Sequence, residues 1–274
     1  MKITFYNDDF GLTYGFTDAI KDCILKGITT SSCVRTNGTA YEYAKKINKG
    51  KIKKVVTGIH FNLTDGKALN PKLANKNGDF KYSFAKYFLF MNKNLKNEIE
   101  KEFEMQLSKA AKDGFKISHT NSQEHVHMIP QIFEIVAKIC KKHNIKRIRL
   151  TNEPLYMFPI LNINIIKFLL LNLFSIRDRK IIKKYNLTSP DYFYGILYTD
   201  NMNSYTVMEA VNDAKKRHAN EIEILAHPAY FDKRDKEYTS TAIKDYVKSK
   251  KRRIETQTFL DKNKIIRKFI EDSI

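Results

Sequence analysis

KITFYNDDFGLTYGFTDAIKDCILKG, residues 2–27, decides how the rest of the chain is read. KITFY (2–6) has the composition of a strand. YGFTDAIKDCILK (14–26) carries apolar residues at helical spacing and stops at Gly27. No glycine-rich phosphate loop joins the two; Asn7, Asp8 and Asp9 stand there instead. This is one strand–helix unit, and it repeats. Strand-like runs fall at 28–34, 54–63, 115–127, 146–151, 193–198, 222–227 and 252–259. Helical runs alternate with them at 40–50, 94–114, 130–144, 155–176, 204–217, near 240–250 and at 260–271.

About eight such units predict a parallel sheet with crossover helices. At 274 residues the closed form is an α/β, single-domain, TIM-barrel-like (β/α) barrel over 1–274, regular or distorted. No internal repeat or Pro/Gly-rich linker divides the chain.

The net charge of +19 favours anionic partners. Its lysines are spread along the whole chain, without a basic tail or an aromatic RNA-binding signature, so no nucleic-acid partner is expected. Cys23, Cys33 and Cys140 are too few for a disulfide framework, and the N-terminus lacks a signal-peptide pattern. Both suit a cytoplasmic protein. LYMFPILNINIIKFLLLNLFSI (155–176) is apolar but interrupted by Pro159, Lys167 and three asparagines, and RDRKIIKK follows it. It reads either as a buried helix with a charged exit or as a helix resting on the inner membrane surface.

Active sites of parallel α/β folds lie at the carboxyl ends of the strands. Asp8 and Asp9, His60 and Asn62, Arg149, and His227 all fall there. So does HTNSQEHVHMIP (119–130), with three histidines in nine positions. Read as a regular strand, this run places His119, Asn121, Gln123, His125 and His127 on one face and Glu124 on the other. His119 lies deepest and is expected to be buried rather than a ligand. A carboxylate with imidazoles makes an open divalent-metal site, of Mg or Zn type, that polarises a carbonyl and acidifies water. The two aspartates suit a division between ligand and base, and His227 could protonate a leaving amine. Each piece has a plainer reading: an acidic pair caps turns, and a strand histidine is usually a hydrogen-bonded core residue.

The ordered set resembles the YdjC-like carbohydrate deacetylases, a family that includes chitooligosaccharide and hopanoid-biosynthesis deacetylases. NDDFG (7–11) is similar to NADDFG, TSSCVRTNG (30–38) to the second strand and loop, and GIHFNLT (58–64) to GxHxNLT. NSQEHVHMIP (121–130) resembles DSHxHVHxxP, TSPDYFYG (188–195) a later strand entry, and AHPAY (226–230) the closing motif. The resemblance implies removal of an N-acetyl group from a sugar or glycan intermediate with a divalent metal. It implies Asp9 and His60 as ligands, Asp8 as base and His227 as acid or transition-state stabiliser. The family's third ligand falls at Gln123, preceded by Asn121 in place of Asp, so Gln123 ligates through its amide oxygen, His125 replaces it, or the metal is lost and the chain only binds carbohydrate. Asn62, His127 and Arg149 are assigned to substrate. Members of the family are often homodimers.

Overall fold

The computed structural model describes residues 1–158, 163–235, 245, 249, 251–260 and 264–271. The chain opens with β1 (Lys2–Phe10), α1 (Tyr14–Leu25), β2 (Ser31–Val34), α2 (Tyr41–Ile47), α3 (Gly50–Val55) and β3 (Val56–Phe61). α4 (Phe84–Leu89), α5 (Lys93–Lys112), β4 (His119–Ser122), α6 (Pro130–Lys142) and β5 (Arg147–Ile148) follow. α7 (Ile163–Lys184), β6 (Tyr192–Tyr194), α8 (Ser204–Lys216), β7 (Glu221–Ala226), α9 (Lys251–Phe259) and α10 (Ile265–Glu271) complete it.

The seven strands form one parallel sheet in the order β5-β4-β3-β2-β1-β7-β6. The sheet curls into an incomplete barrel. Its two edges approach through an isolated parallel bridge, where Ile148 N–H donates to the Thr188 carbonyl at 3.0 Å and Thr188 N–H to that of Lys146 at 2.8 Å. The expected barrel is therefore present in distorted form. β1 lies at the centre, and its last six residues are all buried.

Local signals set the helices. Thr13, Asn92 and Asn203 cap α1, α5 and α8 by accepting from the N–H three residues on, and Pro130 occupies the first turn of α6. Gly58 marks the tightest approach between strands: a Cβ there would lie 2.3 Å from His119 Nε2.

Three expectations are corrected. Residues 252–259 are not a strand: they lie in α9. Alternating polarity in RRIETQTF mimics a strand, yet Arg252, Glu255, Thr256 and Phe259 share one buried helical face. The 54–63 run is split, because 50–55 form α3 before β3 begins. The strand expected through residue 127 ends at Ser122. Glu124 (φ 52°) and His125 (φ 58°) are left-handed, and they kink the chain into two tight turns over 123–128. The helix expected near 240–250 lies almost wholly outside the described residues.

Candidate metal centre and active site

Parallel strands carry the predicted residues to one end of the sheet. The register sets His60 beside Asn121 on neighbouring strands. Between Asn7 and Phe10, three steps along β1 match two along β2, a one-residue bulge, and Asp9 takes φ 73°. In a regular strand consecutive side chains oppose each other; the bulge turns both Asp8 and Asp9 into the same cavity. That cavity measures about 230 Å³ and is also lined by His60, Gln123, His125 and His227.

Arg149 grips Asp8, with Nη1 to Oδ2 at 2.6 Å and Nη2 to Oδ1 at 3.0 Å, and its Nε reaches Glu223 Oε1 at 2.5 Å. Burial alone would raise the Asp8 carboxyl, but the Arg149 guanidinium holds it well below the usual carboxylate range. Asp8 is therefore ionised and can only accept hydrogen bonds. This fixes the Asn121 amide: its Nδ2 donates to Asp8 Oδ1 at 2.6 Å, so its Oδ1 faces His60 Nδ1 at 2.8 Å as an acceptor. His60 thus carries its proton on Nδ1 when neutral, and Nε2 presents a lone pair.

That lone pair points at other lone pairs. His60 Nε2 lies 3.2 Å from Gln123 Oε1 and 3.5 Å from Asp9 Oδ1. Such separations fit donors about one cation with bond lengths near ~2.0–2.2 Å. Asp9, His60 and Gln123 therefore fit a divalent ion. The set would offer one charge and two oxygen donors. Arg35 adds a positive charge beside it, donating to Gln123 Oε1 at 3.2 Å and standing 3.8 Å from Asp9 Oδ1.

A second group, Asp8, Cys33 and His60, also has ligand atoms within 4.8 Å of one another. It is the poorer metal set. Asp8 is neutralised by Arg149, and burial pushes the Cys33 thiol up, so the thiol stays protonated and donates to Asp8 and Asn121.

The histidine run divides by function. His119 is buried between Tyr6 and Ser31, away from the cavity, as its depth in β4 predicts. His125 lines the cavity, but belongs to no metal-sized cluster among the described residues. Its ring meets Phe193 edge-on, its Nδ1 has no hydrogen-bond partner among the described residues, and burial holds it neutral, well below the usual imidazole range. His127 does not line the cavity: Ser122 Oγ and the Arg149 carbonyl engage its two nitrogens at 2.7 and 3.1 Å. Asn62 folds back on Asp65 and Gln106, and Arg149 is committed to two carboxylates. None of Asn62, His127 and Arg149 is among the residues that line the cavity, so the structure does not place them on a substrate. Glu124, expected on the far face, does line it, because the left-handed turn redirects it.

His227 occupies the opposite wall. Burial opposes its charge, but Glu255 at 3.7 Å, with Asp8 and Asp9 beyond, raises it above the usual imidazole range. Glu255 also accepts the His227 N–H at 2.7 Å. It comes from α9, the segment read as a strand. Lys167 reaches the cavity from α7. Its one signal in the sequence was a lysine inside an apolar run.

A family model described as YdjC-like protein matches residues 2–270. The chain belongs to the YdjC-like family. Chitooligosaccharide deacetylases of Yersinia pestis (strain Pestoides F) and Yersinia pseudotuberculosis serotype O:1b (strain IP 31758) are each 26% identical to it over 233 residues, covering 82% of this chain and 80% of theirs. The fold is shared with a solved protein of Enterococcus faecalis V583 provisionally assigned to cellobiose-phosphate cleavage, with a TM-score of 0.72 at 18% identity over 99% of this chain and 94% of that one. Among the described residues, no helix is long and apolar enough to cross a membrane.

Proposed function

We propose that this YdjC-like protein hydrolyses the N-acetyl group of an amino sugar in the 230 Å³ cavity, with a divalent ion held by Asp9, His60 and Gln123. The observation that carries the reading is that His60 Nε2 faces Gln123 Oε1 at 3.2 Å and Asp9 Oδ1 at 3.5 Å, a spacing that one cation could bridge. An ion there would polarise the amide carbonyl and acidify water. Asp8 stands beside it as a fixed carboxylate. Its Arg149 clamp favours position over basicity, so it accepts a proton only from acidified water. His227, whose charged form Glu255 favours, supplies a proton to the departing amine on the other side. Asn121 keeps His60 in the ligating tautomer, as partners behind a metal ligand commonly do.

The test is acetate release from N-acetylated chitooligosaccharides by protein stripped with chelator and resupplied with Mg²⁺, Mn²⁺ or Zn²⁺. Activity should vanish on stripping and return with an added ion. No acetate with any of the three ions, in protein that remains folded, would refute it. One observation favours a second reading, a carbohydrate-binding relative without catalysis: Arg35 already donates to Gln123 Oε1. Sugar binding without acetate release identifies that outcome.

A further inference from the structure

α7 contributes Lys167 to the cavity, yet much of its surface is exposed. Ile166, Leu169, Leu173 and Ile176 are 62%, 61%, 62% and 63% exposed. Their spacing of three, four and three residues sets them on one helical stripe. Leu89 and Phe90, 65% and 63% exposed, add apolar side chains at the end of the neighbouring α4, whose Phe88 packs on Phe174 of α7 with ring centroids 5.2 Å apart. An exposed apolar stripe of this kind marks an interaction site.

Continued by the same spacing, the stripe runs into Lys180 and Lys183, both exposed. Arg177 and Arg179 flank it, and Lys86 stands beside Phe90. The single acid of α7, Asp178, is buried.

We propose that α7, with Leu89 and Phe90, docks this protein onto an anionic lipid bilayer. Charge chooses the occupant. A second copy would bring the same +19 and no exposed acid on α7 to meet Lys180 and Lys183. An anionic bilayer meets both halves of the face, hydrocarbon for the stripe and headgroups for the lysines. The helix lies in the interface plane and does not span it. The wall that holds Lys167 then sits against the membrane surface.

The test uses the full chain and does not depend on catalysis, so its failure is separable from that of the deacetylase reading. The chain has no tryptophan, so Leu173→Trp provides a single reporter. Its emission should shift to the blue with vesicles of phosphatidylcholine and phosphatidylglycerol, and not with phosphatidylcholine alone. Sedimentation with the anionic vesicles should weaken by roughly tenfold or more in Leu169→Asp/Leu173→Asp and in Lys180→Glu/Lys183→Glu, and should fall with added salt. Circular dichroism confirms that each variant is folded. Equal recovery in the supernatant with and without anionic vesicles at low salt overturns the proposal. Equal binding to neutral vesicles overturns it, and so does a dimer in sedimentation velocity that Leu169→Asp/Leu173→Asp dissociates without any vesicle binding.

Discussion

Arg149 holds Asp8 ionised, and that charge orients Asn121, which in turn orients His60. The donor set at Asp9 and His60 thus depends on a neutral amide that carries no metal-binding signal of its own. Gln123 completes the set but brings no charge. Gln123→His should therefore bind Zn²⁺ more tightly, by at least ~10-fold, the scale on which outer partners alone act. Competition titration with a chromogenic chelator measures it; unchanged Zn²⁺ affinity removes Gln123 from the ligand set. Strand ends bring Asp8, Asp9, His60 and His227 to one cavity, as their positions in the sequence suggested. His125 lines it too, but not by sharing a strand face with Gln123, because two left-handed residues break that alternation. A second single-residue effect lies outside the site. Asp178 is fully buried with neither oxygen hydrogen-bonded among the described residues, and burial, partly offset by Arg177, pushes its carboxyl up to about 8. A raised folded pKa stabilises fully below the unfolded value of 3.8, and the contribution is lost as pH rises toward about 8. Stability should fall across that window, and Asp178→Asn should flatten the fall, gaining about 1–3 kcal/mol at pH 8 in urea titrations. An unchanged pH slope in the variant would count against it.

At the scale of elements, periodicity served where an element buries one clean face. α6 and α8 were legible to within a few residues, and β1, β3 and β7 followed from β-branched and aromatic runs. α9 was missed because charged and hydroxyl side chains, not aliphatic ones, make up most of its buried face, and their partners at His227 and Ala229 are distant in sequence. The bulge in β1 was invisible for a related reason, since pairing with β2 defines it. Close strand packing yields a prediction at Gly58. A methyl group there would meet His119 Nε2 at 2.3 Å and Cys33 Cβ at 2.8 Å, both on buried side chains. Gly58→Ala should cost about 1–3 kcal/mol by overpacking. A thermal melt within error of the parent would show that β3 and β4 separate freely there, contrary to the contacts seen.

Across the whole molecule, the curled sheet leaves β5 and β6 at opposite edges, joined by few backbone bonds. Arg149, just beyond β5, spans the interior instead. It reaches Asp8 of β1 and Glu223 of β7, and its guanidinium lies 4.5 Å from the Tyr6 ring centroid and 5.2 Å from that of Phe193 in β6. One side chain thus ties an edge strand to the centre and the far edge. Its planar fork can satisfy two carboxylates at once, which a lysine cannot. Arg149→Met keeps much of the volume but leaves Asp8 and Glu223 buried without a counter-charge, which should cost about 3–5 kcal/mol. At roughly 2–4 °C per kcal/mol for a chain of this size, the melting temperature should drop by about 10 °C. Arg149→Lys should fall between parent and Met. Adding Glu223→Gln to Arg149→Met removes one of the two stranded charges, so it should recover part of the loss, whereas Glu223→Gln alone should destabilise. The four melting temperatures form a double-mutant cycle. If the two effects simply add, Arg149 and Glu223 are independent and the cross-barrel tie fails as an account of how this open-sided sheet keeps its curl.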